Sequence, residues 1–234
     1  MTHTLDNPIY NALNSAHSAF SSGTDQVKYY LEDIASFAGL KDNSKLDFEA
    51  LYENSALESL FIVFTPAAVD IPDQWKVIAQ IDMFQMIYES KEIPTGTDID
   101  FVDLDKSHVN QMTALVELTQ PGPFRARTIE FGNYTGVFSG DNLIAMAGHR
   151  LNPTPYTEIS AVCTHPDHLG KGYAYQLLRE QIKRILKKSE IPFLHVRNDN
   201  YGAIMLYKKL GFDIRADMFA YVIKKTTNKS LSDD

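Results

Sequence analysis

The sequence predicts an α/β protein, because apolar runs typical of strands alternate with segments of helical periodicity. The clearest unit joins a strand at residues 159–164 to a helix at residues 172–188 through a turn with two glycines, Gly170 and Gly172. A second strand at residues 193–197 and a short helix at residues 204–210 follow it. This strand–helix–strand–helix order is the core of the prediction.

The first hundred residues have the same α/β character. Helices are predicted at residues 8–20 and 47–53, a buried strand at residues 59–65, and one or two strands at residues 75–88. No phosphate loop or catalytic cluster is recognisable among them. This part is predicted to be a packing domain that helps to shape a binding pocket; the alternative is a degenerate half related to the C-terminal fold.

Charge changes along the chain. Residues 1–100 hold 16 acidic residues and 5 lysines, for a net charge of −11, whereas residues 101–234 hold 14 acidic and 17 basic residues, for +3. An acidic half argues against nucleic acid as a partner, since phosphate backbones need a basic surface. The shift and a loop-like stretch predict a boundary near residues 91–102. The predicted parts are an N-terminal domain (1–100), a C-terminal domain (101–226) and a polar tail (227–234).

The rest of the C-terminal part begins with an amphipathic helix at residues 105–119, which ends before the Pro-Gly-Pro sequence at 121–123. A hairpin is predicted from residues 133–138 and 143–150. Two more strands are predicted, at 156–164 and 218–225.

Composition sets the cellular context we expect. The chain has 234 residues, 44% of them hydrophobic, and a single cysteine. One cysteine excludes an internal disulfide framework, and no apolar run approaches the ~20 residues of a membrane span. We therefore expect a cytoplasmic protein without a signal peptide or membrane anchor.

The two-glycine turn predicts an anion site. The first N–H groups of a helix have no partner inside the helix, and the helix dipole adds partial positive charge there. Gly170 and Gly172 allow a phosphate to approach the backbone closely.

Two ordered motifs then identify a family resemblance. The six residues from Leu169 to Ala174 match the pattern Q/R-x-x-G-x-G/A except at the first position, where leucine stands. The pattern N-x-x-A-x-x-x-Y-x-x-x-G-F follows, with matches at Asn200, Ala203, Tyr207, Gly211 and Phe212. Over roughly residues 103–225 the chain resembles the GNAT superfamily of acyl-CoA-dependent N-acyltransferases.

The resemblance implies a mixed sheet that splays between two parallel strands, here residues 158–164 and 192–197. It implies acetyl-CoA as cofactor and transfer of an acetyl group, by direct attack in a ternary complex, to the primary amine of a small molecule or peptide. The runner-up is a non-catalytic acyl-CoA sensor or interaction module. The cofactor-binding residues it implies are Val162, Cys163, Thr164, Leu169, Gly170, Lys171, Gly172, Tyr173, Ala174, Asn198, Asn200, Ala203 and Tyr207.

Two residues are the catalytic candidates. An alkyl ammonium has a pKa of about 10.4, so a base must help to deprotonate it, and Glu158 stands where some relatives carry a catalytic glutamate. Strand alternation places Glu158 and Cys163 on opposite faces unless a bulge intervenes. Tyr207 is predicted to protonate the departing thiolate. The alternative for each is a structural role, as a strand-end carboxylate and as a buried core tyrosine.

The remaining polar candidates give weaker predictions. Cys163 would allow a covalent acyl-enzyme, but a lone strand cysteine is usually a small buried hydrophobe. His165 and His168 lack an acidic or cysteine partner set, so no metal is predicted. Arg125 and Arg127 are predicted either to hold a carboxylate of the acceptor or to lie on the surface. The sequence allows a monomer or a homodimer.

Overall fold

The computed structural model describes residues 3–97 and 99–226; the predicted tail at 227–234 lies outside the described residues. The N-terminal part contains two helices, α1 (Pro8–Leu13) and α2 (Lys45–Asn54). Its strands are β1 (Ser21–Gly23), β2 (Val27–Tyr30), β3 (Ala38–Leu40), β4 (Leu60–Thr65) and β5 (Trp75–Ile87).

The C-terminal part contains three helices, α3 (Val109–Thr119), α4 (Tyr173–Lys187) and α5 (Tyr201–Leu210). Its strands are β6 (Val102–Asp103), β7 (Thr135–Ser139), β8 (Asn142–His149), β9 (Tyr156–Thr164), β10 (Ile191–Arg197) and β11 (Asp213–Lys225). Among the described residues, no helix is both long and apolar enough to cross a membrane.

The strands form two sheets. A small antiparallel sheet has the order β1-β2-β3, and a large sheet has the order β4-β11-β5-β10-β9-β8-β7-β6. In the large sheet β9 and β10 run parallel, whereas the other neighbours are antiparallel. The α/β fold class with a mixed sheet is thereby confirmed.

The large sheet continues across the predicted domain boundary. β5 lies between β10 and β11, and β4 pairs with the other side of β11. The first hundred residues therefore contribute two strands to the sheet that carries the predicted site. The division into two domains stays a prediction about independent folding.

Two helices cover opposite faces of the large sheet beside β8 and β9. The apolar side of α4 is fully buried through Leu177, Leu178, Ile182 and Ile185, at the spacing the sequence predicted. On the other face, α3 buries Met112, Leu115 and Val116. Helices therefore pack beside β9 on both faces of the sheet.

The prediction of one helix at residues 8–20 is wrong in extent. α1 ends at Leu13, and residues 18–20 form a single 3-10 turn that leads into β1. Asn14 and Ser15 hydrogen-bond to nearby backbone carbonyls through their side chains, which competes with helix continuation. The last strand begins earlier than predicted, at Asp213 rather than Met218.

Candidate active site

The parallel strands β9 and β10 separate in the middle of the sheet. They pair only from Ile191 opposite Tyr156 to Phe193 opposite Glu158. Beyond that rung a cleft of about 520 Å³ opens between them. The splay implied by the family resemblance is therefore present at the predicted strands.

A bulge in β9 changes which side chains face the cleft together. Met146 pairs with Cys163 and Gly148 with Ser160, so Ala161 and Val162 both lie opposite Ala147. Ala161 has a φ of 52°, in the left-handed region, as a bulge residue can require.

The bulge interrupts the predicted alternation of the β9 side chains between the two faces of the sheet. After it, Cys163 packs in the cluster that contains Met112 of α3, whereas Ile159 packs with Leu178 of α4. Glu158 pairs with Arg150, whose guanidinium lies over Phe37 of the same cluster as Cys163. The prediction placed Glu158 and Cys163 on opposite faces unless a bulge intervenes; the bulge is present, and one inserted residue reverses the parity downstream.

The start of α4 has the features of an anion site. Gly170 and Gly172 have φ angles of 75° and 80°, and a Cβ at either position would meet open space. Among the described residues, no acceptor takes the N–H groups of residues 170–175. A row of uncovered N–H groups at a helix N-terminus fits the pyrophosphate of a coenzyme A.

The predicted cofactor residues lie in two places around this site. Leu169, Gly170, Lys171, Gly172, Tyr173 and Ala174 form the turn and the first residues of α4. The residues that line the cleft itself are Val162, Cys163, Thr164, Asn200 and Tyr207.

The two remaining predicted cofactor residues have local structural contacts. Asn198 is exposed, and its N–H donates to the Asp82 carbonyl at 3.1 Å. Ala203 lies in the first turn of α5, where its N–H donates to the Asn200 side chain at 3.2 Å. Asn200 is therefore the N-cap of α5.

Glu158 lies at the base of the splay as part of a buried ionic cluster. Its side chain is fully buried, and Arg150 Nε donates to Oε2 at 2.8 Å. Oε1 accepts from a second nitrogen of Arg150 and from His195 Nδ1, the latter at 2.7 Å. Burial acts to raise the pKa of Glu158, but the charge and hydrogen bonds of Arg150, with the hydrogen bond from His195, outweigh it and lower the pKa to about 2.

The hydrogen bonds fix the tautomer of His195. Gln85 Nε2 donates to the Leu5 carbonyl at 2.8 Å and lies 3.0 Å from His195 Nε2, while Gln85 Oε1 accepts from Arg215. Since the amide nitrogen of Gln85 is a donor, His195 Nε2 accepts and Nδ1–H donates to Glu158. Burial lowers the pKa of His195 and keeps the ring neutral.

Tyr207 lines the cleft from α5. Its ring packs edge-on to Phe212 at 6.1 Å between centroids. Burial raises the pKa of its hydroxyl to about 12. The phenol is therefore protonated at neutral pH.

Arg125 and Arg127 do not line the cleft. Arg125 donates to Ser36 Oγ at 2.9 Å, and Arg127 forms ion pairs with Asp33 and Glu130 at 3.0 and 2.7 Å. Their side chains have partners on the chain itself, which fits the surface alternative better than acceptor binding.

Sequence reasoning missed Arg150 and His195, which line the cleft and hold Glu158. The one available signal was that Arg150 directly follows the apolar run of β8, and that His195 interrupts the apolar run of β10. The other candidates carry little chemistry: burial raises the pKa of Cys163 to about 11. Within the described ranges, no group of histidine, cysteine or acidic residues is arranged to hold a metal ion.

The fold and this site together define a class: a mixed sheet that splays beside a helix start with free N–H groups. Residues 134–221 match the family model described as FR47-like protein. A putative GNAT-family acetyltransferase from Novosphingobium aromaticivorans is similar over 97% of this chain and 100% of its own, with 31% identity and a TM-score of 0.89. The chain belongs to the GNAT family of acetyltransferases.

Two further similarities extend the comparison. The N-alpha-acetyltransferase RimI of Mycobacterium tuberculosis is 35% identical over 83 residues, which are 34% of this chain. The match spans about half of that relative's length, 51%. A GCN5-related N-acetyltransferase from Kribbella flavida shares the fold, with a TM-score of 0.61 at 13% identity, and covers 93% of this chain and 95% of its own.

Proposed function

We propose that this protein transfers an acetyl group from acetyl-CoA to a primary amine of a small molecule or peptide, by direct attack within a ternary complex. The observation that carries the proposal is the splay after Glu158 and Phe193, which opens a cleft next to the N–H groups at the start of α4. Family membership supports acetyl transfer in general. The name of the mycobacterial relative adds α-amino groups to the acceptors worth testing.

In this proposal the backbone N–H groups from Gly170 to Ala174 hold the pyrophosphate. Leucine at the first motif position, Leu169, should weaken cofactor binding little, because backbone groups and not the side chain at this position make these contacts. Beyond Ile159, β9 has lost its β10 partner, so its free edge is available to the pantetheine amides. Acetyl-CoA supplies an acyl group activated as a thioester.

Tyr207 is proposed as the acid. The amine nitrogen bonds to the thioester carbon, the carbon–sulfur bond breaks, and the phenol gives its proton to the departing sulfur. Burial raises the pKa of this hydroxyl to about 12, so the phenol carries a proton at neutral pH. A pKa that far above the working pH weakens it as an acid, so its position on the cleft is what supports the role.

Glu158 is proposed to assist removal of the amine proton through water and by its charge. Direct contact is not supported, because the carboxylate is buried and bonded to Arg150 and His195. Both ring nitrogens of His195 have partners as well, so a water in the cleft is the carrier of the proton.

The test is release of free thiol from acetyl-CoA across a panel of small amines, amino acids and peptides with free N-termini. The expected result is release that depends on the acceptor and falls at least tenfold in Tyr207→Phe. Tight CoA binding without release above background on any acceptor would instead favour a non-catalytic sensor.

A further inference from the structure

The cleft continues from the cofactor side onto an apolar wall that no motif predicted. Three neighbouring strands, β4, β11 and β5, form this wall. Phe64 lies opposite Ala220, and Ala220 lies opposite Ile81, so the three share one face of the sheet. Ile62 and Val222 form the next rung. We call these five residues the apolar wall.

The apolar wall is open to solvent at the far end from the α4 turn. Ile62, Ile81 and Val222 are only half-buried, whereas Phe64 and Ala220 are buried. α4 packs on β8, β9 and β10, and β4 is the opposite edge of the sheet. A molecule that enters along the wall therefore reaches the splay without passing the turn at Gly170 and Gly172.

The charges along the cleft are already balanced. Arg150 and Arg197 are the charged residues that line it, and they pair with Glu158 and Asp199. No aspartate or glutamate is among the described residues that line it. A second ammonium group on the acceptor would therefore lose its hydration without gaining a carboxylate, which is costly.

Aromatic rings complete the junction between the wall and the ionic cluster. The Arg150 guanidinium lies over Phe37 and Phe64, at 5.2 and 5.6 Å from the ring centroids. His195 packs against Phe64, with 4.8 Å between centroids. Phe37 and Phe64 thus already hold the Arg150 cation inside the protein.

We propose that the apolar wall is the acceptor subsite, and that it selects primary amines with one apolar group and no second positive charge. The inference rests on the proposed function and narrows its acceptor class. Burial of an apolar group of four or more carbons there favours binding, while a second charge opposes it.

The test uses two amines of equal length, hexylamine and 1,6-diaminohexane. Calorimetric titration of the CoA-saturated protein should give a dissociation constant for hexylamine at least tenfold lower than for the diamine. Equal or tighter binding of the diamine would overturn the inference.

A matched pair of variants locates the subsite. Ile81→Asp should weaken hexylamine binding at least tenfold and narrow the preference over the diamine. Ile78 lies on the same strand at an exposed position away from the cleft. Ile78→Asp should change the dissociation constants for hexylamine and for the diamine by no more than twofold. Ile81→Thr, a milder change, should weaken hexylamine binding about threefold and guards against misfolding of the aspartate variant.

Three other outcomes would contradict the account at different points. If Ile81→Asp weakens octanoyl-CoA binding and leaves hexylamine unchanged, the wall holds an acyl chain and the inference fails. If thiol is released with 1,6-diaminohexane and not with hexylamine, acetyl transfer stands and the inference fails. If hexylamine binds as expected but no amine in the panel releases thiol, the proposed function fails while the binding preference stands.

Discussion

Phe193 lies opposite Glu158 in the last rung that joins β9 to β10. One residue further along, the two strands no longer pair and the cleft begins. Glu158 is thus fixed at the base of the splay by the sheet on one side and by Arg150 and His195 on the other. The turn before α4, the apolar wall and Tyr207 are arranged around this point.

The first prediction concerns Tyr207. Replacing it with phenylalanine removes the proposed proton donor and keeps the ring packing against Phe212. We expect kcat to fall at least tenfold, with KM for acetyl-CoA within twofold and an unchanged thermal midpoint, measured by steady-state thiol release and thermal melts. A loss of no more than twofold in kcat would refute the acid assignment.

The second prediction concerns the turn before α4. Gly172→Ala places a Cβ in the left-handed region at φ 80°, which costs roughly 1–2 kcal/mol, and crowds the proposed pyrophosphate site. We expect the dissociation constant for CoA to rise at least tenfold.

Gly140→Ala is the matched control for the turn. Gly140 has a φ of 58° and also faces open space, but it lies in the β7–β8 hairpin. Its alanine variant should lose a similar amount of stability in urea unfolding and bind CoA as the wild type does. Equal CoA affinities for the two variants would place the cofactor elsewhere.

The third prediction concerns the buried ion pair. Glu158→Gln leaves the Arg150 charge buried without a counter-charge, so we expect a loss of about 3 kcal/mol in the free energy of unfolding. Replacing both residues with methionine should cost less than the sum of the two single methionine changes, with a coupling of about 2 kcal/mol or more in a double-mutant cycle. A coupling below about 0.5 kcal/mol would mean that the interaction between the two residues contributes little to the free energy of unfolding.

The fourth prediction is the direction of acid sensitivity. Burial lowers the pKa of His17 to about 4 and that of His149 to about 3. Below pH 6.5 these histidines bind protons in the unfolded chain but stay unprotonated in the folded protein. The free energy of unfolding therefore falls as the pH falls from 6.5 to about 4 for His17 and to about 3 for His149. The lowered pKa of Glu158, about 2, acts in the same direction below pH 4.5.

Urea unfolding at pH 7, 6, 5 and 4 measures this slope. The His17 contribution alone reaches roughly 3 kcal/mol at pH 4, so His17→Leu should flatten the slope between pH 6.5 and 4. A variant with the wild-type slope would show that His17 titrates normally in the folded protein.

The pH profile of catalysis separates two roles for Glu158. With a pKa of about 2 the carboxylate stays ionised throughout the working range, so a limb near neutral pH belongs to another group. Glu158→Gln should then lower the plateau and leave the apparent pKa of the limb unchanged.

The sequence predicted the elements with strong periodicity. α4, β9 and β10 lie within one to three residues of their predicted bounds, because each buries a long apolar face. The small sheet of β1, β2 and β3 was missed, since strands of three or four residues carry too little pattern.

The site was predictable in part, for a physical reason. Motifs of local sequence located the α4 turn, Asn200 and Tyr207. The partners of Glu158 were not predictable, because Arg150 and His195 meet it through sheet register, and register depends on tertiary pairing. The bulge at Ala161 has no local sequence signal, so the sequence could not decide which faces the residues of β9 beyond it occupy.

The measurement that tests the central claim most directly is free-thiol release from acetyl-CoA by the wild-type protein with hexylamine as acceptor, alongside mass detection of the product. The account predicts one thiol released per molecule of N-acetylhexylamine, with a rate at least tenfold lower in Tyr207→Phe. CoA binding at the same concentrations, without thiol release or an acetylated amine for hexylamine or any other amine of the panel, would contradict it.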